Sequence, residues 1–279
     1  MFALDEDLAA VAARLRRSTV QVIARGGHGS GLVTSADGIA VTNAHVANGK
    51  RPRVVLADGR ELAAEVMASA PERDLAALRF SATDLAPAEF RDAPLRQGDL
   101  VVAVGNPLDL VGAVTTGIVH SVDRKKRTVT ADLRLLPGNS GGPLADAAGK
   151  VVGVNAMVVD GLAVAISAAV VRRFLAAPFA RPYLGVVTRA VTTDVMGERR
   201  LGLLVTEVVD RSAAEHGGVL PGDVVIGTDG RLFTSPNDLY YEIESGSVGA
   251  NIRLDVLRDA RVRGLGVIVG DAARQPSAA

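Results

Sequence analysis

Short runs of aliphatic and β-branched residues, separated by turn-forming residues, fill the chain between residues 18 and 169. Examples are TVQVIA at 19–24, IAVTNAHV at 39–46, LVVAVG at 100–105 and VVGVNAMVV at 151–159. Runs of this length, bounded by Gly, Asp, Pro or charged residues, are typical of strands in antiparallel sheets. The pattern therefore predicts a mainly β structure for this part of the chain.

Helical periodicity replaces this pattern at both ends of the β-rich part. Residues 1–17 begin with acidic residues, end with arginines and have one apolar face, formed by Leu8, Val11, Ala12 and Leu15. The helix dipole favours this distribution of charge, so an amphipathic helix is predicted. The segment differs from a signal peptide, which begins with positive charge and continues as an uninterrupted apolar stretch. A second helix is predicted over 168–176.

A second, smaller domain is predicted after a short linker. Two prolines bracket residues 178–182, and proline stiffens a connecting segment. Residues 183–270 then mix strand-like runs with two helical segments, one opening at Ser212 and one at 237–244, which indicates an α+β domain. The tail at 271–279 consists of small and polar residues, and we expect it to be disordered.

Composition excludes several classes of function. Lys plus Arg and Asp plus Glu both number 31, so the chain has no basic field that would attract nucleic acid or an anionic membrane. It has no cysteine, and its four histidines are scattered without the spacing of metal ligands. No apolar run reaches the roughly 18 residues that a transmembrane helix needs. We therefore expect no metal, no cofactor, no nucleic-acid partner and no transmembrane segment.

Two other segments resemble binding motifs but have simpler explanations. The glycine-rich stretch at 26–31 lacks the lysine of a phosphate-binding loop and leads into a strand-like run rather than a helix. The basic stretch at 124–127 lies between two strand-like runs, which indicates a solvated hairpin tip.

The segment GNSGGPL at 138–144 carries the main chemical signal. Glycines around Ser140 allow a tight turn that exposes the serine hydroxyl. The amides of Gly138, Asn139 and Ser140 can then point at one position, where they would stabilise an oxyanion. This arrangement is typical of a nucleophilic serine, although the motif by itself is also compatible with an ordinary glycine turn.

Two upstream residues have the chemistry that such a serine needs. His45 lies within VTNAHV and Asp74 within RDLAAL. A neutral imidazole can take the proton of a serine hydroxyl, and a carboxylate behind it fixes the tautomer and stabilises the imidazolium. The chain order His, Asp, Ser favours a double β-barrel of the chymotrypsin type. Singly, each residue also has a structural explanation, as a buried histidine, a strand-end cap and a turn serine.

Seven sequence blocks resemble the HtrA (Deg) family of serine proteases. They are GSGLV at 29–33, TNAHV at 42–46, RDLAAL at 73–78, VGNPL at 104–108, TTGIV at 115–119, GNSGGPL at 138–144 and GLAVAI at 161–166. The resemblance implies a chymotrypsin-like double β-barrel over 18–177. It also implies that His45, Asp74 and Ser140 form the catalytic triad and that the amides of Gly138 and Ser140 bind the oxyanion.

The family resemblance extends to assembly and location. HtrA protomers usually form homotrimers through their amino-terminal segments, so a homotrimer is expected. HtrA proteins are also usually exported. The chain is therefore either cytoplasmic as it stands or located in the periplasm or cell envelope after removal of a leader, and the sequence leaves both possibilities open.

Residues 183–270 resemble a PDZ domain. Tyr183, Leu184, Gly185 and Val186 match the loop whose amides hold the terminal carboxylate of a peptide, and the following strand offers an edge for β-augmentation. Leu239 and Ile243 lie four residues apart on one helical face and are predicted to line the groove, although core packing explains Leu239 nearly as well. The expected ligands are hydrophobic C-terminal peptides.

The expected walls of the specificity pocket are aliphatic, and they consist of Leu135, Val164 and Ile166. Such walls predict cleavage after Val, Ile, Leu or Ala. Arg134 stands where the family usually has a small residue at the pocket floor. We expect its side chain to turn to solvent, whereas an inward guanidinium would favour acidic side chains.

Two further departures from the family concern the catalytic loop and its regulation. Leu136 occupies a position where asparagine is common. The segment at 122–132 is shorter than the family loop that relays PDZ occupancy to the active site, so we expect weak coupling between the PDZ domain and catalysis.

The predicted function is ATP-independent cleavage of unfolded or damaged proteins, an activity of protein quality control. The first alternative is a PDZ-containing chaperone or scaffold with an inactive barrel. The second is a latent enzyme in which the amide of Gly138 is turned away from the oxyanion position.

Overall fold

The β-rich half of the chain forms two closed barrels of six strands each. The computed structural model describes residues 2–25, 27–49, 51–107, 110–123, 127–178, 180–195 and 197–272. The chain divides into two units, residues 1–179 and 180–279, and both barrels belong to the first. The predicted chymotrypsin-like double β-barrel is confirmed.

The first barrel contains six antiparallel strands in the order β1-β2-β3-β6-β5-β4. The strands are β1 Thr19–Ala24, β2 Gly27–Ser35, β3 Ile39–Thr42, β4 Arg53–Val55, β5 Glu61–Ala70 and β6 Leu75–Phe80. Their inward aliphatic side chains, among them Val22, Val33 and Leu78, are fully buried. β3 and β6 are antiparallel, and Thr42 at the end of β3 pairs with Ala76 near the start of β6, so the loop after β3 and the loop before β6 lie at the same end of the barrel.

The second barrel repeats this arrangement in the order β10-β11-β12-β9-β8-β7. Its strands are β7 Leu100–Gly105, β8 Ala113–Asp123, β9 Thr128–Asp132, β10 Pro143–Asp146, β11 Val151–Val159 and β12 Leu162–Ser167. β8 and β9 pair up to Asp123 and Thr128, on either side of the predicted hairpin tip at 124–127. Of that tip, only Arg127 lies within the described residues.

Two helices pack on the barrels. The helix predicted over 1–17 is observed as α1, Phe2–Ser18, and its residues Val11 and Leu15 pack against Val102 and Val104 of β7. The helix predicted over 168–176 is observed with those bounds as α2, Ala168–Ala176. None of the helices that the structure describes is long and apolar enough to cross a lipid bilayer.

The second unit is a small α+β domain built on a five-membered path of strands, β14-β15-β16-β18-β19. Its elements are β13 Pro182–Tyr183, β14 Val186–Val195, β15 Glu198–Val208, α3 Ala213–His216, β16 Val224–Thr228, β17 Arg231–Leu232, α4 Asp238–Ser245, β18 Asn251–Arg258, β19 Arg261–Ile268 and β20 Gly270–Asp271. The hydroxyl of Ser212 caps α3 by accepting the amide of Glu215 at 3.2 Å. The predicted α+β domain is confirmed.

A buried ion pair holds the loop before β16. The carboxylate of Asp223, which is 2% exposed, accepts hydrogen bonds from Nε and Nη2 of Arg258 at 2.6 and 2.7 Å. It also accepts the amide of Leu220 at 2.8 Å. Burial raises the pKa of the Asp223 carboxyl, but the hydrogen bonds from Arg258 and Leu220 outweigh it and hold the pKa below its ordinary value.

The prediction that the chain is disordered from residue 271 is wrong at its first two residues. Asp271 belongs to β20, which pairs with β13. Its carboxylate accepts the amide of Arg181 at 3.1 Å, and the amide of Ala272 donates to the carbonyl of Arg181 at 2.9 Å. These long-range bonds order a segment whose composition is typical of a tail. Residues 273–279 lie outside the described residues.

Candidate active site

His45 lies in the turn that follows β3. Thr42 and Asn43 are fully buried at the end of this strand, and the carbonyl of Asn43 accepts the amides of Val46 and Ala47 at 3.2 and 3.1 Å. The turn directs the imidazole outward, where its side chain is about half exposed (52%). A buried strand end therefore anchors a solvent-accessible base.

Asp74 lies directly before β6 and faces the imidazole. A single 3₁₀ turn, Pro71–Arg73, ends at Asp74, which adopts the left-handed conformation with φ of 50°. Both carboxylate oxygens lie 2.9 Å from Nδ1 of His45, and Oδ1 also accepts the amide of His45 at 3.1 Å. The side-chain amide of Asn43 donates to the carbonyl of Asp74 at 2.9 Å.

This contact determines which imidazole nitrogen can act as a base. An ionised carboxylate only accepts hydrogen bonds, so Nδ1 carries the proton in the neutral imidazole. The lone pair then lies on Nε2, which is the nitrogen that a catalytic base presents to a serine hydroxyl.

The loop that carries Ser140 depends on two glycines with positive φ, Gly138 at 104° and Gly141 at 86°. A Cβ at Gly141 would lie 2.0 Å from the carbonyl oxygen of Ser30 and 2.3 Å from the hydroxyl oxygen of Thr42. The absence of a side chain at Gly141 therefore lets the Ser140 loop lie against the strand that leads to His45.

The Ser140 and His45 loops meet at Gly29. A Cβ at Gly29 would lie 2.6 Å from a methyl carbon of Val46 and 3.1 Å from the carbonyl oxygen of Ser140. The Ser140 hydroxyl donates to the carbonyl of Ala156 at 3.1 Å, and among the described residues it makes no hydrogen bond to His45. Hydrogen bonds between catalytic residues are often long or poorly aligned until substrate binds, so this rotamer is compatible with a triad.

Two of the three predicted oxyanion donors are available. Within the described residues, no acceptor binds the amides of Gly138 and Ser140. The amide of Asn139, by contrast, donates to the carbonyl of Leu136 at 3.0 Å. The prediction that Asn139 contributes an oxyanion donor is therefore wrong, because the N–H of Asn139 forms a hydrogen bond within the turn.

The structure does not bring the three predicted pocket residues together. Leu135 packs against the interior cluster of the second barrel, which contains Ala163 and Ala165 of β12. Side chains alternate along a strand, so Val164 and Ile166 face the other way. Ile166 accordingly belongs to a different cluster, which contains Phe174 of α2. Alternation along β12 separates Ala163 and Ala165 from Val164 and Ile166 in the sequence, but it does not say which of the two faces lies inside the barrel.

Arg134 is exposed to solvent, as expected. It lies two residues after Asp132, at the end of β9, and its neighbours Leu133 and Leu135 are buried and partly buried. Its position gives no support to a basic floor in the specificity pocket.

In the second unit, the predicted carboxylate-binding loop connects β13 to β14. Gly185 has φ of 85°, and the carbonyls of Leu184 and Gly185 accept the amides of Ala214 and Val209 at 2.7 and 2.9 Å. The amides of Leu184 and Gly185 donate to no acceptor among the described residues. The carbonyls therefore anchor the loop while these amides stay available.

The strand and helix that would flank a PDZ groove differ in what they expose. β14 begins at Val186, pairs with β15 on one side and forms an edge of the described sheet. Leu239 of α4 is 4% exposed and belongs to the core of this unit. Ile243 is partly buried against the same core. Core packing is thus the observed role of Leu239.

The comparison with known proteins covers both units. The description "Trypsin-like peptidase domain" matches residues 29–154, and "PDZ domain" matches residues 182–269. The mitochondrial serine protease HTRA2 of Bos taurus is 34% identical, over 79% of this chain and 56% of that protein. The "Putative serine protease HhoA" of Synechocystis sp. is 32% identical, over 84% of this chain and 68% of that protein.

The chain belongs to the HtrA family of serine proteases. A solved structure titled "HtrA-type protease AlgW with decapeptide" has a TM-score of 0.75 and 27% sequence identity, and the match covers 96% of this chain and 99% of that one. The chain spans a little over half the length of several curated HtrA relatives, 56% in the bovine protein and 51% in one from Bartonella henselae.

Proposed function

We propose that this HtrA chain is an ATP-independent serine endopeptidase that cleaves unfolded or damaged proteins. The observation that carries the proposal is the contact of the Asp74 carboxylate with Nδ1 of His45, beside the loop that presents Ser140. An oriented base next to a serine on a glycine turn is the arrangement needed for nucleophilic catalysis. No observation favours the alternative of an inactive scaffold.

The proposed reaction begins when the Ser140 hydroxyl turns from Ala156 to Nε2 of His45. The imidazole takes the hydroxyl proton as the serine oxygen bonds to the peptide carbonyl carbon, and the amides of Gly138 and Ser140 stabilise the resulting oxyanion. His45 then gives the proton to the leaving amine as the C–N bond breaks. Water then bonds to the acyl carbon as His45 takes one of its protons, and the ester bond breaks as His45 returns that proton to the Ser140 oxygen.

Digestion of unfolded casein without ATP tests this proposal. We expect cleavage mainly after Val, Ile, Leu or Ala, because the side chains that follow β9 and face Leu135 from β12 are apolar and Arg134 is exposed. An apolar pocket distinguishes one methylene by only about 1–3 kcal/mol, so the preference should be broad. Mass spectrometry of the products maps the cleaved bonds. Intact casein would overturn the proposed activity, and a majority of cuts after Glu or Asp would overturn the aliphatic preference.

We propose that the PDZ unit binds hydrophobic C-terminal peptides and tethers substrates. The available amides of Leu184 and Gly185 support carboxylate binding, and the edge strand β14 supports β-augmentation. We propose weak coupling to catalysis because the segment at 122–132 is short. A ligand shifts an active–inactive equilibrium only by its differential affinity for the two states.

The weak-coupling proposal predicts the response to a PDZ ligand. A hydrophobic peptide with a free C-terminal carboxylate should change kcat/KM of the full chain on a short substrate by less than about fivefold, or roughly 1 kcal/mol. The same peptide with an amidated C-terminus is the matched control and should bind weakly. A hundredfold stimulation by the free carboxylate form would show that the short segment still transmits PDZ occupancy.

We also propose that the chain forms a homotrimer and acts in the cell envelope. The family resemblance supports the trimer, and the name "Probable periplasmic serine endoprotease DegP-like" of a Pseudomonas fluorescens relative supports the location. The apolar face of α1 packs on β7 of the same chain. Leu110 and Val111, by contrast, are more than 60% exposed and are available for contact with another copy of the chain. Light scattering and cell fractionation test the two proposals, and a monomer or a cytoplasmic protein would contradict them.

A further inference from the structure

Ser30 connects the two catalytic loops from the buried space between them. It has no solvent exposure, and its amide donates to the carbonyl of Ser140 at 2.8 Å. Its carbonyl accepts the hydroxyl of Thr42, three residues before His45, at 2.6 Å. Its hydroxyl donates to the carbonyl of Gly138 at 2.7 Å. Every polar group of this one residue therefore bonds to a segment that carries the site.

The direction of the Ser30 hydroxyl bond follows from its second partner. The backbone amide of Asn106 donates to the Ser30 hydroxyl oxygen at 2.9 Å, and the side-chain amide of Asn106 lies 3.3 Å from it. An amide N–H cannot accept, so the single hydroxyl proton is left to point at Gly138. Asn106 is itself held by bonds to Val20 at 3.0 Å and to Gly112 at 2.9 Å.

The bond to Gly138 matters because glycine does not restrain its own backbone. Gly138 adopts φ of 104°, which is one of many backbone conformations of similar energy that are open to glycine. The carbonyl of Gly138 belongs to the peptide group that follows this residue, so a bond that holds the carbonyl oxygen fixes ψ. When ψ and φ are both fixed, the Gly138 N–H has one direction relative to the rest of the loop. Oxyanion donors are effective only when they are already oriented before the reaction.

We propose that Ser30 is a positioning residue for the oxyanion hole. Its hydroxyl holds the carbonyl of Gly138 and so keeps the amides of Gly138 and Ser140 directed at one point. Ser30 touches neither substrate nor the reacting atoms. This inference rests on the proposed endopeptidase activity.

The variant Ser30→Ala in the full chain tests the proposal. Complete loss of an oxyanion donor costs about 100- to 1,000-fold in kcat, and loss of orientation should cost less, so we expect kcat to fall by about 10- to 100-fold. KM for a short peptide should stay within about threefold. The affinity for a peptide boronic acid, which forms a tetrahedral adduct at the serine, should fall by a factor similar to that of kcat.

Two readouts separate positioning from a general loss of structure. The pH profile of kcat should keep its shape, because the contact of His45 with Asp74 does not involve the Ser30 hydroxyl. Ser18→Ala is the matched control, since Ser18 is also buried and its hydroxyl donates to a carbonyl, that of Leu15 at 3.0 Å, outside the site. It should leave kcat and boronate affinity unchanged.

Wild-type kcat and boronate affinity in Ser30→Ala would overturn the proposal. If Ser30→Ala does not fold, Ser30→Cys replaces it: the thiol is a weak donor of similar size, and an intermediate loss of kcat with unchanged KM is expected. Wild-type kcat in Ser30→Cys would then count against the proposal. Failure of the wild-type chain to cleave casein would instead overturn the proposed function.

Discussion

Ser140→Ala should reduce casein cleavage by about three to six orders of magnitude. The substitution removes the oxygen that forms the acyl-enzyme but leaves the glycine turn and the contact of Asp74 with His45 in place. Residual activity is expected only from the oxyanion donors and substrate binding. Initial rates on casein and on a short peptide measure the loss.

A fluorophosphonate probe gives an independent readout of the same variant. The probe reacts with a serine only when the base and the oxyanion donors are assembled, so the wild-type chain should be labelled at Ser140 and the Ser140→Ala chain not at all. Ser247→Ala, an exposed serine of the second unit, is the control and should behave as wild type. Unchanged cleavage by Ser140→Ala would point to a contaminating protease and overturn the assignment of the nucleophile.

Asp74→Asn should lower kcat by about three to four orders of magnitude while KM changes little. The Asp74 carboxylate accepts from Nδ1 of His45 with both oxygens at 2.9 Å, and its charge stabilises the imidazolium that forms when Ser140 is deprotonated. A carboxamide has no charge, and its NH₂ group facing Nδ1 would favour the tautomer that protonates Nε2. That tautomer cannot accept the serine proton.

The controls for Asp74→Asn address folding and charge. The Asp74 carboxylate also accepts the amide of His45 at 3.1 Å, so circular dichroism and thermal unfolding must show that the variant is folded. Asp58→Asn removes one exposed carboxylate whose hydrogen bonds go to Arg60 and not to His45, and it should leave kcat unchanged. A folded Asp74→Asn chain with kcat within tenfold of wild type would show that Asp74 does not orient the base.

Local sequence patterns identified the elements of this protein with good accuracy. The bounds of α2 follow from its own periodicity, and most strands of both barrels follow from short β-branched runs between turn residues. β5 and β10 were not predicted, because they have one and no β-branched residue. Such patterns depend on residues a few positions apart, where propensity and amphipathicity act. The candidate triad was also identifiable, because serine, histidine and aspartate each occur in a distinctive local motif.

Contacts between distant segments decided the rest. The hydroxyl of Ser30 and the carbonyl of Gly138 are separated by 108 positions, and no local pattern predicts their hydrogen bond. Pairing between β13 and β20 ordered Asp271, and the internal bond of the Ser140 turn withdrew the amide of Asn139 from the site.

The sequence by itself thus determined which residues carry the chemistry and which elements surround them, since both depend on side-chain type and short-range periodicity. Only the tertiary structure decided which face of β12 lies inside the barrel, where the Ser140 hydroxyl points and what restrains Gly138. Those properties depend on the closure of each barrel and on hydrogen bonds across the space between them, where buried polar groups must find partners from other parts of the chain.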